Sequence, residues 1–473
     1  MMRSVAVGMD KANILPPRAA GHRRFPDPAI GAVSVRKALA GGNVSPDDAN
    51  MQLDPDICYR ALASRDARFD GRFFIGVRTT GIYCRPICPA RTTRRENVDF
   101  YLTAAAAQEA GLRPCLRCRP EAAPDSGAWR GVSNSGHSHT VARALAWIEQ
   151  GILDESGMAA LCDKLGVGDR QLRRLFAEHV GASPLAVAQT RRVLLAKQLI
   201  HETRMPLTDI AFAAGFGSVR RFNEVFQALY RRPPGALRRD TGAAPAPAGE
   251  ITLLLRYRPP YHWPAMLLHL AAHAIPGVET VQEDCYARTI ELSGASGTLA
   301  VRPGSGHALR VTIRFPRLAA LPAILARVRA MFDLAADPAT IEQHLSHDPQ
   351  LARLIAARPG LRLPGCWNAS EQLAPAMPGP PAGLAAPPGA RLAQIDPDLF
   401  QTGHALAETQ TRLAIAPLSS PPAAGSRQML EDLGLAAAEL ERLAGRAEAW
   451  RPWRAYAIQH LWTEKHAAQS ASG

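Results

Sequence analysis

No run of eighteen apolar residues occurs anywhere in the 473-residue chain, so no segment is long enough to cross a bilayer as a helix. The N-terminus carries arginine, proline and glycine but no apolar core. No secretion signal is therefore expected, and the chain is expected in the cytoplasm with no membrane partner. Cysteine is scarce. Of the eight, Cys84, Cys88, Cys115 and Cys118 are clustered, whereas Cys58, Cys162, Cys285 and Cys366 stand alone. That pattern excludes a disulfide framework and leaves a metal site plus buried free thiols. Acidic side chains are outnumbered, 42 against 55 basic ones, for a formal charge of +13. Such an excess favours a polyanionic partner. No internal repeat is visible.

The length calls for three or four domains of about 100–200 residues. Residues 1–51 read as a disordered extension, and Met51 reads as the natural start. Short β-rich runs such as "RFFIGVRTTGIYC" and all four clustered cysteines fall in 52–122. A polar linker leads to a helical block over 139–239. A mixed α/β segment over 250–368 opens on the strand-like "ITLLLRYR". Residues 369–426 are Pro/Ala-rich and mostly irregular, broken by a candidate helix at 398–413. A last helical segment spans 427–464.

"CRPIC" and "CLRC" hold two cysteine pairs separated by twenty-six residues. Four thiolates at these spacings suit a tetrahedral Zn²⁺ site. On the residues alone, a purely structural zinc finger and a reactive centre both remain open. The surrounding arginines tilt the reading towards chemistry on a phosphate backbone.

The helical block contains two helix-turn-helix patterns, "GMAALCDKLGVGDRQLRRLFAEHVG" and "PLTDIAFAAGFGSVRRFNEVFQALYRRPPGALRR". In each, apolar positions at helical spacing leave a polar face free for a groove. That face carries Arg170, Arg173 and Arg174 in the first, and Arg220, Arg221 and Asn223 in the second.

"VRTTGIYCRPICPAR", "RRENVDFY" and "AGLRPCLRCRP" resemble the N-terminal domain of the Ada-type alkylation-response regulators. The resemblance implies zinc held by Cys84, Cys88, Cys115 and Cys118. It also implies that Cys84 accepts a methyl group from a methylphosphotriester in DNA, one turnover per protein. Arg78, Thr80, Arg85, Arg91, Arg94 and Arg95 are then expected near the DNA backbone. The paired patterns, through "IAFAAGF" and "RRFNEVFQALYRRPPGALRR", are similar to AraC-type DNA-binding domains. That family places Arg170–Arg174 and Ser218–Asn223 in successive major grooves. The implied partners are double-stranded DNA, alkylated or bearing promoter sites, and RNA polymerase.

"YRPPYHWPAMLLHLAAHAIPGVE" and the tail "AEAWRPWRAYAIQHLW" resemble AlkA-type 3-methyladenine DNA glycosylases. By that likeness Asp432 is the catalytic aspartate and Trp462 lines the base pocket. No "LPGIG"-like hairpin lies between Trp367 and Glu431, so the glycosylase activity is expected to be impaired. A Pro-Cys-His-Arg motif is also missing, so O6-methylguanine repair is not expected.

The expected fold class is thus multidomain α+β. It comprises a small zinc-bound α/β domain, an all-α double helix-turn-helix domain, an AlkA-like α/β domain and an incomplete helical glycosylase remnant. The leading expectation is a methyl-accepting repair protein and transcriptional regulator fused to a glycosylase-like module. The alternatives are an active alkylbase glycosylase that uses the zinc and helix-turn-helix parts for targeting, and a plain zinc-containing transcription factor.

Overall fold

A computed structural model of the chain describes residues 54–124, 136–238, 249–368, 446 and 449–470. The 1–51 extension, the 369–426 stretch with its candidate helix, and Asp432 lie outside the described residues.

The first module opens on helix α1 (Pro55–Ser64). Asp54 caps it by accepting from the amides of Asp56 (2.7 Å) and Ile57 (3.1 Å), with Pro55 preset in its first turn. Strands β1 (Phe74–Val77), β2 (Ile82–Cys84) and β3 (Val98–Tyr101) follow, then α2 (Ala104–Glu109) and β4 (Arg113–Pro114). They form a sheet of order β3-β1-β2-β4, in which only the β2–β4 pairing is parallel. Alternation along β1 gives the sheet two buried faces. Ile75 packs with Cys58 and Leu62 of α1, while Phe74 packs with Tyr83, Ala104 and Ala107 on the α2 side. Gly76 admits the close approach of two side chains there, because a Cβ would lie 2.4 Å from Leu112 and 2.6 Å from the Tyr101 ring and would force them to shift.

The all-helical module comprises α3 (Gly136–Glu149), α4 (Ile152–Glu155), α5 (Met158–Leu165), α6 (Asp169–His179), α7 (Pro184–Glu202), α8 (Leu207–Ala213) and α9 (Val219–Tyr230). Helices α5 and α6 turn at Gly166, and α8 and α9 turn at Gly215, each in the left-handed region. At Gly215 the space is closed as well, since a Cβ would meet the Asp154 carboxylate at 2.1 Å. Helix α7 joins the two units, capped by Ser183 and started by Pro184. Leu194 of α7 also enters the core of the first module.

The third module is a five-stranded antiparallel sheet of order β5-β9-β8-β7-β6. Its strands are β5 (Glu250–Arg256), β6 (Glu279–Gln282), β7 (Cys285–Leu292), β8 (Ala295–Gly304) and β9 (Ala308–Arg314). Strand β5 has the strict in–out burial of a sheet with one covered face, with Ile251, Leu253 and Leu255 inward. Helices α10 (Trp263–Ala272), α11 (Leu321–Met331), α12 (Pro338–Leu345) and α13 (Pro349–Ala357) complete it. Helix α14 (Arg454–Ser470) packs against α13 and α10. Among the described residues no helix is long and apolar enough to cross a membrane.

Candidate metal centre and DNA-facing residues

Parallel pairing of β2 with β4 sets Ile82 beside Arg113 and Tyr83 beside Pro114. Two loops therefore leave the same end of the sheet side by side. One carries Cys84 and Cys88, folded back by the Cys88 amide on the Arg85 carbonyl (3.1 Å). The other carries Cys115, whose amide donates to the Tyr83 carbonyl (3.0 Å), and Cys118. The four sulfurs lie within 4.8 Å of one another and all four residues are buried.

The donor set fits zinc. A tetrahedral tetrathiolate with Zn–S of about 2.3 Å needs sulfurs about 3.8 Å apart. Without a cation such proximity is frustrated. Hydrogen bonding from Cys115, then Cys118 and Cys88, pushes the Cys84 thiol far up, and bonding to Cys118 first pulls Cys115 far down. A dication relieves this by accepting all four as thiolates.

The sulfurs differ in their backbone donors. Cys118 receives the Arg85 amide (3.3 Å) and Cys115 the Arg117 amide (3.4 Å). Among the described residues, neither Cys84 nor Cys88 has an amide in hydrogen-bonding geometry on its sulfur, and Cys84, at 9% exposure, is the least covered of the four.

The arginines do not share one fate. Arg85 is buried, with Nε on Asp70 (2.8 Å), Nη2 on the other Asp70 oxygen and Nη1 on the Cys118 carbonyl (3.0 Å). This departs from the expectation that it faces phosphate: its charge is spent bracing the second cysteine loop against the first. Arg78 is 57% exposed beside Asp99, and donates to the Glu96 carbonyl. Thr80 lies exposed on the turn between β1 and β2. Arg95 lies over the Tyr59 and Phe100 rings, and Arg94 stays exposed 3.9 Å from Glu96. Arg91 is exposed.

On α6, Leu172, Leu175 and Phe176 are buried and Arg170, Arg173 and Arg174 are exposed, with Arg173 on Asp169 at 2.9 Å. On α9, Phe222 and Phe226 are buried and Arg220, Arg221 and Asn223 are exposed. Arg220 reaches Glu224 at 2.9 Å, and the Ser218 hydroxyl caps the Arg221 amide at 3.2 Å. Ser218 thus starts the helix.

Trp462 is 1% exposed, stacked on His466 (4.0 Å) and flanked by His269 (4.7 Å) and His273 (5.5 Å). The resemblance put it on a base pocket, but here it is a core ring enclosed by imidazoles. Burial, with His273 and His466 nearby, pulls His269 down to about 3, so it is neutral at physiological pH.

Sequence reading missed a buried polar cluster around Glu121. Lys197 of α7, 0% exposed, donates to Glu121 Oε2 (2.7 Å) and the Cys115 carbonyl (2.9 Å). His201 and Arg119 approach the other Glu121 oxygen at 3.3 and 3.1 Å. The available signal was a lysine, followed by a glutamine, inside the otherwise apolar run "VLLAKQLI".

Three family models match: the metal binding domain of Ada over 57–121, a helix-turn-helix domain over 161–240, and the AlkA N-terminal domain over 252–368. A probable bifunctional transcriptional activator/DNA repair enzyme AlkA of Mycobacterium tuberculosis is 35% identical, covering 87% of this chain and 97% of the relative. The bifunctional transcriptional activator/DNA repair enzyme Ada of Escherichia coli is 35% identical over 164 residues, 35% of this chain and 43% of that one. The E. coli DNA-3-methyladenine glycosylase 2 is 27% identical over 275 positions, covering 44% of this chain and 95% of the glycosylase. Since 44% of 473 residues is about 208, about 67 of those 275 positions find no counterpart here.

Proposed function

The chain belongs to the family of bifunctional transcriptional activator/DNA repair enzymes that joins an Ada-type zinc domain and helix-turn-helix units to an AlkA-type module, and from that premise we propose that Cys84 is its methyl acceptor. The observation that carries the assignment is the distribution of N–H···S bonds. Each such donor draws charge off a thiolate and lowers its nucleophilicity; Cys118 and Cys115 each have one, and of the remaining two sulfurs Cys84 is the more exposed. Zinc, when held by Cys84, Cys88, Cys115 and Cys118, keeps the sulfurs ionised at neutral pH. Cys84 Sγ attacks the methyl carbon of a neutral methylphosphotriester. The S–C bond forms as the C–O bond breaks, and the electron pair stays on the phosphate oxygen as a restored diester. Arg78, Thr80, Arg91, Arg94 and Arg95, on or near the outer surface of this module, are proposed to hold the flanking phosphates.

Methylation takes the centre from a formal −2 to −1. One charge removed ~7 Å from a phosphate changes their interaction by roughly 0.6 kcal/mol at water's dielectric and ~2.4 at an effective ε of 20. Summed over several phosphates, the change favours DNA binding. Arg170, Arg173, Arg174, Arg220, Arg221 and Asn223 are the proposed base readers, RNA polymerase the proposed protein partner, and the cytoplasm, where free thiols persist, the proposed location. After incubation with DNA bearing methylphosphotriesters, peptide mass spectrometry should place a single methyl on Cys84. The methylated sample should bind promoter DNA more tightly, with the gap narrowing as salt rises. A methyl on another cysteine, or on none, refutes the assignment.

The glycosylase activity is proposed to be impaired. We read the positions without a counterpart as catalytic core, because no "LPGIG"-like hairpin lies between Trp367 and Glu431, and Trp462 is buried with His466 stacked on it and His269 tilted against it. Loss of the groups that position a catalytic carboxylate forfeits several kcal/mol of barrier reduction. Release of 3-methyladenine from alkylated DNA should therefore be near background. Rapid release abolished by Asp432→Asn would overturn this.

A further inference from the structure

A glycosylase-like module with a shortened core still occupies a quarter of this chain, and its contacts point to a different task. One continuous apolar core runs from Leu199 of α7 and Phe222 of α9 into Ile251 and Leu253 of β5 and Leu325 of α11. No solvent layer separates the second helix-turn-helix unit from the AlkA-like sheet. The polar contacts agree. Strand β5 is an edge strand, and an open edge is a template for unwanted pairing. Helix α7 closes it with side chains: Glu202 Oε2 accepts from the Leu254 amide (3.0 Å), and Gln198 Nε2 donates to the Leu254 carbonyl (3.1 Å). The second Glu202 oxygen accepts from Arg119 of the zinc module at 3.0 Å. Helix α8 rests on the turn Leu318–Ala320, and α11 rests on α3, which in turn packs against α5 and α6 of the first unit.

The AlkA-like module thus touches the second helix-turn-helix unit and the helix between the units directly, and reaches the first unit through α3. Two units that read successive major grooves must hold a separation of about 34 Å in fixed rotation. A single connecting helix bends under load, since long helices are rarely straight. We propose that the AlkA-like module has a second function as the brace that fixes the two helix-turn-helix units for simultaneous reading of one duplex. The proposal rests on the reading that both units contact DNA. It gives the module a role in transcription that is independent of base excision.

The test uses the full-length zinc-loaded protein and a duplex enriched from a random pool by that protein, alongside the same duplex with one half-site scrambled. The wild type should prefer the intact duplex strongly, because a rigid linkage makes the second contact intramolecular. Leu318→Asp, beneath α8, and the milder Gln198→Met, at the β5 edge, should each cut this preference by about tenfold or more. Binding to the half-scrambled duplex, zinc content and methylation of Cys84 should stay at wild-type levels. An unchanged preference in both variants overturns the brace, and so does an equal loss on both duplexes, which marks local damage to one reading helix. A wild type that does not prefer the intact duplex sinks the underlying reading of two DNA-bound units, and the brace with it.

Discussion

Cys115→Ser should strip the protein of zinc and unfold residues 54–124. Within the module itself, little else holds the fold. Its apolar contacts are split into two small clusters on either face of a four-stranded sheet whose β4 is two residues long. Structural zinc sites of this type contribute about 10–16 kcal/mol of binding free energy, which is folding free energy when the apo chain is unfolded. Serine offers a far weaker ligand, and the three remaining thiolates lie buried within 4.8 Å of one another without a full complement. Metal analysis and limited proteolysis of the full chain should report stoichiometric loss of zinc together with cleavage within 54–124. A zinc-free protein that resists protease there as well as wild type does would contradict the assignment. Cys84→Ala should lose methyl transfer outright.

Lys197→Met should destabilise the junction between the zinc module and α7 by about 3–5 kcal/mol, the usual cost of leaving one partner of a buried pair uncompensated. Glu121 is 1% exposed at its side chain. Burial alone would raise its carboxyl, but Lys197, His201 and Arg119 outweigh burial and hold it down at about 2, against an ordinary 4.5. A carboxylate whose folded pKa is depressed contributes stability that is full above its unfolded pKa and lost as pH falls through the folded one. The window here is therefore from about pH 4.5 down to about 2. In Lys197→Met the largest favourable charge is gone, so the folded pKa should rise towards the unfolded value and the stability lost between about pH 4.5 and 2 should shrink. Chemical denaturation at a series of pH values measures both effects. The double variant Lys197→Met/Glu121→Leu should be more stable than Lys197→Met alone, because it removes the stranded charge. A single variant within about 1 kcal/mol of wild type would show that the pair is idle.

The metal centre was legible because its ligands come as two local pairs, and local spacing survives in a sequence. The helix-turn-helix units were legible for a related reason: Leu172, Leu175 and Phe176, or Phe222 and Phe226, recur at helical spacing just after a glycine turn. Arg85 could not be read the same way. It stands among exposed arginines in the sequence, and what withdraws it from the surface is Asp70, brought there by the fold across a sheet. Lys197 and Glu121 are 76 residues apart and meet only because α7 docks on the zinc module. Trp462 illustrates the converse. Resemblance supplied a role for the ring, whereas its imidazole surroundings depend on how α10 and α14 pack.

The parallel β2–β4 pairing has a bearing on how distant relatives are to be recognised. Three residues within the first cysteine pair and two within the second are dictated by the ion, because each pair must bend round one centre. The twenty-six residues between the pairs are dictated by nothing of the kind. They form an excursion through β3 and α2 that returns the chain to a fixed berth beside β2. Loop-closure entropy grows only slowly with length, so that excursion can lengthen at the coil between Cys88 and Arg95 with little effect on the ion. A search pattern for such centres should hold the inner spacings rigid and let the outer one float.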